Sequence, residues 1–369
     1  MHILHVVGAR PNFMKAAPVL HALASYSGVR QTLVHTGQHY DAAMSEVFFR
    51  QLEMPEPDCN LGVGSGTHAQ QTAAVMLAFE PVLLERKPDL VLVYGDVNST
   101  VASALVCAKL GVAVGHVEAG LRSRDRSMPE EINRLLTDQL SDLLFTPSAD
   151  GDENLRREGI DLEKIHLVGN VMIDTLVRLL PRAERQFPAN VPTPYALVTL
   201  HRPSNVDDLL WLRDLLATLA ELSGQLHVIF PVHPRTRQRL NGLGSLAAGA
   251  RLRLLEPLPY LEFLALQRHA AMVITDSGGI QEETTFLGVP CLTVRENTER
   301  PITITLGTNQ LVGRNLQRLR SAAAEIVAKG LAQEHRKSAD SSRLPLWDGH
   351  AAERIAKVIT QCAPNRPRG

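Results

Sequence analysis

Apolar residues fall in short, nearly unbroken runs separated by longer segments in which they recur at helical spacing. In the first half the runs are His2–Val7, Thr32–His35, Leu90–Tyr94, Val112–Val117 and Leu143–Thr146. Runs without polar alternation predict strands covered on both faces, as in a parallel sheet. The segments between them, Phe13–Tyr26, Ala42–Leu52, His68–Leu84, Val101–Leu110 and Pro129–Leu140, predict the covering helices.

The alternation restarts after an expected linker helix, Val171–Phe187. That helix runs into Pro188-Ala-Asn-Val-Pro-Thr-Pro194, a breaker-rich boundary. Strands are then predicted at Tyr195–Leu200, Leu226–Phe230, Leu252–Leu255, Met272–Thr275, Cys291–Val294 and Gln310–Val312. Helices are predicted at Asp207–Leu222, Tyr260–His269, from near Ile280, at Asn315–Lys329 and at Ala351–Cys362. Two doubly wound α/β halves with a cleft between them account for this order, with ligands expected beyond the carboxyl ends of the strands. No internal sequence repeat is visible.

Composition narrows the function. A chain of 369 residues suggests about two domains, and its apolar content of 44% is ordinary for a globular protein. The formal net charge is −1 with no basic block, so neither nucleic acid nor a membrane surface is an expected partner. Cys59, Cys107, Cys291 and Cys362 are scattered without paired spacing, which fits a reducing compartment and no zinc site. The opening apolar run is too short for a signal segment, and no run would span a bilayer. The expected location is the cytoplasm.

The candidate chemistry lies just past the strands. Met272–Thr275 delivers Asp276-Ser277-Gly278-Gly279, a glycine-rich turn into a helix where free N–H groups and the dipole favour an anion. It is expected to cradle a diphosphate, with Ser277 adding a hydroxyl; an ordinary strand-to-helix turn is the plain alternative. After the first strand come Gly8-Ala9-Arg10-Pro11 and Lys15, two cations around a helix start. Further strand ends offer Asp96, Glu118 and His201-Arg202, and Glu130 lies nearby. Three carboxylates on one side, and a histidine with a diphosphate seat on the other, suit proton transfer beside a departing diphosphate.

Plainer roles stand beside these. Asp96 would also cap the following helix, and Glu130 with Arg134 has the spacing of an i,i+4 ion pair. His116, inside an apolar strand, is expected to be a satisfied core histidine. His35 and His39 are four apart but Gly37 breaks the helix a metal pair needs, so no metal is expected. Leu61-Gly-Val-Gly-Ser-Gly-Thr67 does not follow a clear strand and lacks full dinucleotide spacing, so it is expected to be a flexible loop. Neither a nicotinamide site nor a Ser-His-Asp elbow is evident.

Taken in order, these stretches resemble the non-hydrolysing UDP-N-acetylglucosamine 2-epimerase family over nearly the whole chain. The carrying pieces are Gly8-Ala-Arg-Pro11 with Lys15, His35-Thr-Gly-Gln-His-Tyr-Asp41, Gly95-Asp96, His116-Val-Glu-Ala-Gly-Leu-Arg122 and Pro129-Glu-Glu-Ile-Asn-Arg134. They continue with His201-Arg202, Pro231-Val-His-Pro234, Asp276-Ser-Gly-Gly-Ile-Gln-Glu-Glu283 and Thr298-Glu-Arg-Pro301. Each is weak alone; the ordered set is specific.

The resemblance implies a GT-B fold of two Rossmann-like domains, at 1–169 and 170–349, with a C-terminal helix over 350–366 packing back on the first. It implies a homodimer without metal or redox cofactor that interconverts UDP-N-acetylglucosamine and UDP-N-acetylmannosamine for cell-surface polysaccharide. The family eliminates UDP to give 2-acetamidoglucal, then adds it back with C2 protonated on the other face. Asp96, Glu118, Glu130 and His201 match its catalytic set, undivided between acid and base. Arg10, Lys15, Arg202, Ser277, Gly278, Gly279, Glu283 and Arg300 match its substrate contacts, Glu283 at the ribose, and Phe263 lies in the stretch used near uracil.

Two departures from the family pattern matter. Leu258 stands where many bacterial members have glutamine, so a uracil contact there must come from backbone. Tyr40-Asp41 and Pro203 stand where many have the polar residues and second arginine of an activating UDP-sugar site, which is therefore expected to be weak or absent. The region His35–Phe49 also resembles the branch acting on UDP-2,3-diacetamido-glucuronic acid, whereas Thr298-Glu-Arg-Pro301 leans toward the N-acetylglucosamine enzymes. A GT-B glycosyltransferase and an inactive UDP-sugar sensor are the rivals from other classes. Three carboxylates plus His201 exceed what an inverting transferase usually needs.

Overall fold

The computed structural model describes residues 1–38, 49–240, 251–332 and 344–362. The chain forms two compact units, one of Met1–Thr175 with the stretch from Pro345, the other of Leu176–Leu344.

The first unit is built on a 7-stranded parallel sheet in the order β3-β2-β1-β4-β5-β6-β7. Its strands are β1 (His2–Val7), β2 (Arg30–His35), β3 (Cys59–Asn60), β4 (Leu90–Tyr94), β5 (Ala113–Val117), β6 (Leu143–Thr146) and β7 (Ile165–Leu167). β1 is paired on both sides, Ile3 with Gln31 on β2 and with Leu90 on β4. On one face Leu4, Val6, Val91 and Val93 pack against Phe79 and Leu83 of helix His68–Arg86 and Ala104 and Cys107 of helix Asn98–Lys109. Removing a fully buried side chain such as Leu4 costs about 2–5 kcal/mol, so continuous apolar runs specify these strands strongly. Helix Ala351–Cys362 lies against helix Arg10–Ala24. Its first turn is capped by Asp174, which accepts from the Ala351 and Ala352 amides at 3.1 and 2.7 Å.

The second unit carries a 6-stranded parallel sheet in the order β10-β9-β8-β11-β12-β13. These are β8 (Tyr195–Thr199), β9 (His227–Pro231), β10 (Leu252–Leu255), β11 (Met272–Thr275), β12 (Cys291–Thr293) and β13 (Asn309–Leu311). Counted within each unit, the first six strands follow the same path, although no repeat shows in the sequence. In both sheets the winding reverses beside the first strand, between β1 and β4 and between β8 and β11. A crevice at the carboxyl ends of the strands is expected there.

Several boundaries differ from expectation. Helices begin at Arg10, Asn98 and Gly278, two or three residues ahead of the apolar periodicity, because their first turns are polar or glycine. β3 has two residues and β7 is only half-buried, so neither gave an apolar run. The glycine-rich stretch Leu61–Thr67 therefore does follow a strand, β3, and it leads to the Thr67 cap of helix His68–Arg86. Helix Ala149–Arg157 is almost wholly polar and was not anticipated. Of the helix expected at Ala42–Leu52 only the residues from Phe49 are described, and His39, Tyr40 and Asp41 lie outside the described residues. Among the described residues no helix is long and apolar enough to cross a membrane.

Candidate functional site

At the β1–β4 switch point the turn after β1 is held by Asn12. Its Oδ1 accepts from the Gly8 and Ala9 amides at 3.0 and 3.1 Å, and its Nδ2 donates to the Tyr94 carbonyl at 2.7 Å. The turn is thus fastened to the end of β4. Helix Arg10–Ala24 leaves Arg10 exposed and sends Lys15 inward, where Nζ lies 2.7 Å from Glu118 Oε1. Glu118 follows β5 with φ 74°, a left-handed conformation that costs a non-glycine residue about 1 kcal/mol or more. Gly95, at the end of β4, has φ 63°, and a Cβ there would lie 2.6 Å from Lys15 Nζ. The left-handed turn and the lysine's approach both require glycine.

Asp96 does not cap the following helix, whose N-cap is Val97. Its carboxylate pairs with Arg134, and its carbonyl accepts from Asn133 Nδ2 at 2.9 Å. Arg134 also binds Glu131 at 2.8 Å. Burial would push the Glu131 carboxyl up, but the Ser123 amide and Arg134 hold it below the usual range. Its oxygens accept from the Ser123 and Arg124 amides, both at 2.9 Å. Glu130, beside it in the first turn of helix Pro129–Leu140, is half-buried. Asp96 keeps 24% of its side chain accessible, whereas Glu118 keeps 2%. A reactant at this edge would reach Asp96 more easily.

In the second sheet the corresponding position is organised by Asp276, fully buried after β11. Its carboxylate accepts from the amides of His201 at 3.1 Å and Arg202 at 2.9 Å, and from Asn205 Nδ2 at 3.0 Å. It also meets His201 Nδ1 at 3.0 Å. Burial opposes the charge on Asp276, but the His201 ring, Asn205 and the Arg202 amide outweigh it and hold the carboxyl below its usual range. A carboxylate at Nδ1 fixes the ring through that nitrogen and leaves Nε2 for other partners. The His201 side chain is 41% accessible.

Beside it, Ser277 is the N-cap of helix Gly278–Leu287. Gly278 and Gly279 form the first turn, so their amides are among the unpaired donors of the helix start. A Cβ on Gly278 would lie 2.6 Å from Arg300 Nη1 and 2.8 Å from Glu299 Oε1. Close approach here is to the protein's own arginine, which Glu282 and Glu299 hold at 2.9 and 2.6 Å. Arg202 Nη2 is 3.9 Å from Glu299 and Arg295 Nη2 is 2.7 Å from its other oxygen, so three guanidinium groups share this carboxylate. Glu283, one turn in, accepts from the Tyr260 hydroxyl at 2.8 Å. Phe263 packs with Leu258 and Ile280 against an apolar cluster.

One edge therefore gathers Lys15, Asp96 and Glu118, with Glu130 nearby. The other gathers His201, Arg202, Ser277, Gly278, Gly279 and Arg300. In the sequence Asp276 stands only within the glycine-rich turn, and Arg134 only as an i,i+4 partner of Glu130. Their positions, directly after a strand and one helical turn after Glu130 and Glu131, were the available signal.

A family model described as UDP-N-acetylglucosamine 2-epimerase matches residues 21–360. A UDP-N-acetylglucosamine 2-epimerase of Methanocaldococcus jannaschii is 41% identical, covering 98% of this chain and 99% of that one. A UDP-2,3-diacetamido-2,3-dideoxy-D-glucuronate 2-epimerase of Pseudomonas aeruginosa is 40% identical, covering 98% and 100%. The crystal structure of Methanocaldococcus jannaschii UDP-GlcNAc 2-epimerase in complex with UDP-GlcNAc and UDP matches with a TM-score of 0.86 at 41% identity, covering 98% and 100%. The two parallel-sheet domains are those of the GT-B class. By match length, identity and fold, the chain belongs to the UDP-N-acetylglucosamine 2-epimerase family.

Proposed function

We propose that the chain inverts C2 of UDP-N-acetylglucosamine to give UDP-N-acetylmannosamine, by elimination and re-addition of UDP. The likeness to 2-epimerases over nearly its whole length carries this reading. The C2 hydrogen has no neighbouring carbonyl, so its removal is coupled to loss of the C1 substituent. A carboxylate takes the C2 proton as the C1–O bond breaks, leaving 2-acetamidoglucal and UDP. A second acid protonates C2 on the opposite face while the diphosphate oxygen re-bonds C1. No net oxidation occurs, so the reaction needs no redox cofactor.

Asp96, Glu118, Glu130 and His201 are the proton-handling groups. Lys15 and Asp276 fix two of them in place. Ser277, the amides of Gly278 and Gly279, Arg202 and Arg300 stabilise charge on the departing diphosphate. Glu283 binds the ribose hydroxyls, Phe263 lies near the uracil, and Arg10 adds a cation.

The relative of Pseudomonas aeruginosa supports a second substrate, UDP-2,3-diacetamido-glucuronic acid, with the same inversion at C2. Incubating the chain with each nucleotide sugar, and separating products by anion-exchange chromatography, decides between them. The first reading expects the N-acetylmannosamine epimer without added acceptor. Release of free N-acetylmannosamine would indicate a hydrolysing enzyme, and acceptor-dependent loss of the sugar a transferase. Prompt turnover of pure UDP-N-acetylmannosamine is also expected. Pro203, exposed at the start of a short helix, offers no guanidinium to an activating nucleotide sugar.

A further inference from the structure

His116 lies fully buried in β5, and none of the roles above uses it. Its two ring nitrogens face two acceptors. Nε2 is 2.8 Å from the Gly95 carbonyl oxygen, and Nδ1 is 2.6 Å from Asp138 Oδ1. A carbonyl oxygen can only accept. Asp138 is fully buried and also pairs with the Arg122 guanidinium at 2.7 Å. The ring thus bridges a backbone carbonyl and a buried carboxyl group from within one strand. We infer that His116 positions two turns at once, the one carrying Asp96 and the one carrying Glu118. This role rests on the acid–base assignment proposed for those two residues.

The connections run as follows. Gly95 immediately precedes Asp96, its amide donates to the Val117 carbonyl at 3.0 Å, and its carbonyl is held by His116. The peptide units on both sides of Gly95 are fixed, so Asp96 leaves the sheet in one direction. Asp138, on the other side of His116, accepts from the Gly120 amide at 3.1 Å and from Arg122 Nη2 at 2.7 Å. Gly120 closes the turn that begins at Glu118, with φ 79° after the 74° of Glu118. Two left-handed positions thus flank Ala119, and Asp138 anchors the second of them through the Gly120 amide. Glu158 meets Arg122 at 2.6 Å on its other side, so the guanidinium is held by two carboxylates.

Two substitutions separate the two arms. His116→Asn places an amide nitrogen where Nδ1 stands, keeping Asp138 and releasing the Gly95 carbonyl. His116→Gln places one where Nε2 stands, keeping Gly95 and releasing Asp138. Histidine side-chain 15N spectra of the native protein are expected to show both His116 nitrogens engaged in hydrogen bonds. Amide exchange is expected to accelerate at Gly95 and Asp96 in His116→Asn, and at Glu118 to Gly120 in His116→Gln. In each variant kcat falls about 10–100-fold, with KM and UDP affinity within a factor of about three. A ring nitrogen without a hydrogen bond, exchange that rises evenly through the sheet, or native kcat in both variants would overturn the inference. If the native protein epimerises neither UDP sugar, the proposed function fails, while the 15N and exchange measurements still decide whether His116 holds both turns.

Discussion

Lys15 Nζ and Glu118 Oε1 meet at 2.7 Å with both side chains withdrawn from solvent. The lysine comes from the helix after β1 and the glutamate from the turn after β5, and β4 lies between those strands. The pair therefore spans the end of β4, where a Cβ on Gly95 would lie 2.6 Å from the ammonium nitrogen. Lys15→Met leaves the buried carboxylate without its partner and is expected to cost about 3–5 kcal/mol. The double variant with Glu118→Gln is expected to lose at least about 1 kcal/mol less than the sum of the single losses. Urea unfolding of the four proteins measures this, and strict additivity would show that the pair is not coupled.

Gly95→Ala and Gly278→Ala are expected to fail differently. At Gly95 a side chain must adopt φ 63° and displace Lys15, so stability drops by about 1–3 kcal/mol and activity is lost with it. Gly278 lies in a helical turn, and its crowding is with the movable ends of Arg300 and Glu299. That variant should stay within about 1 kcal/mol of native stability while UDP binding weakens about 10-fold, a loss of roughly 1.4 kcal/mol. Calorimetric unfolding and UDP titration separate the two cases.

Asp276→Asn keeps the shape of the residue but offers His201 Nδ1 no carboxylate. Turnover is expected to fall by about 10²–10⁴-fold, the range for general acid–base help from a positioned side chain. KM should change little, because the diphosphate contacts proposed above lie on Ser277, the glycine amides, Arg202 and Arg300. A variant with native kcat would show that the orientation of His201 does not depend on this carboxylate.

Asp174 gives a pH dependence to stability. Burial raises its carboxyl from 3.8 to about 6, against the lowering effect of the Ala352 and Ala351 amides. The folded state thus holds this proton more tightly than the unfolded chain. The contribution is fully present below about pH 4 and is lost as pH rises through about 6. The stability difference between the native protein and Asp174→Asn is expected to shrink by up to roughly 3 kcal/mol from pH 4 to pH 7. Urea midpoints across that range test it. A constant difference would place the Asp174 carboxyl near its unfolded value.

The central strands were legible because β1, β4, β5, β8 and β11 are covered on both faces and so are apolar almost throughout. Strands β3 and β7, at the edges of the first sheet, have little to bury and left no such trace. Helix starts were placed late for a related reason. The first turns at Arg10, Asn98 and Gly278 come straight after the carboxyl ends of β1, β4 and β11 and carry polar or glycine residues, so periodicity begins only afterwards. The candidate site was legible as residues following strands, and its internal wiring was not. Asp276 reaches His201 across 75 positions of sequence, and Lys15 reaches Glu118 across 103. Such pairings follow from strand order, which no local pattern encodes.

The most direct test is an NMR time course of UDP-N-acetylglucosamine with the protein in D2O and no added cofactor. Elimination and re-addition predict that the UDP-N-acetylmannosamine formed carries deuterium at C2, with 2-acetamidoglucal and UDP appearing on long incubation. Epimer that keeps its original C2 hydrogen would contradict the proton-transfer mechanism. No conversion of either candidate nucleotide sugar would contradict the assigned activity itself.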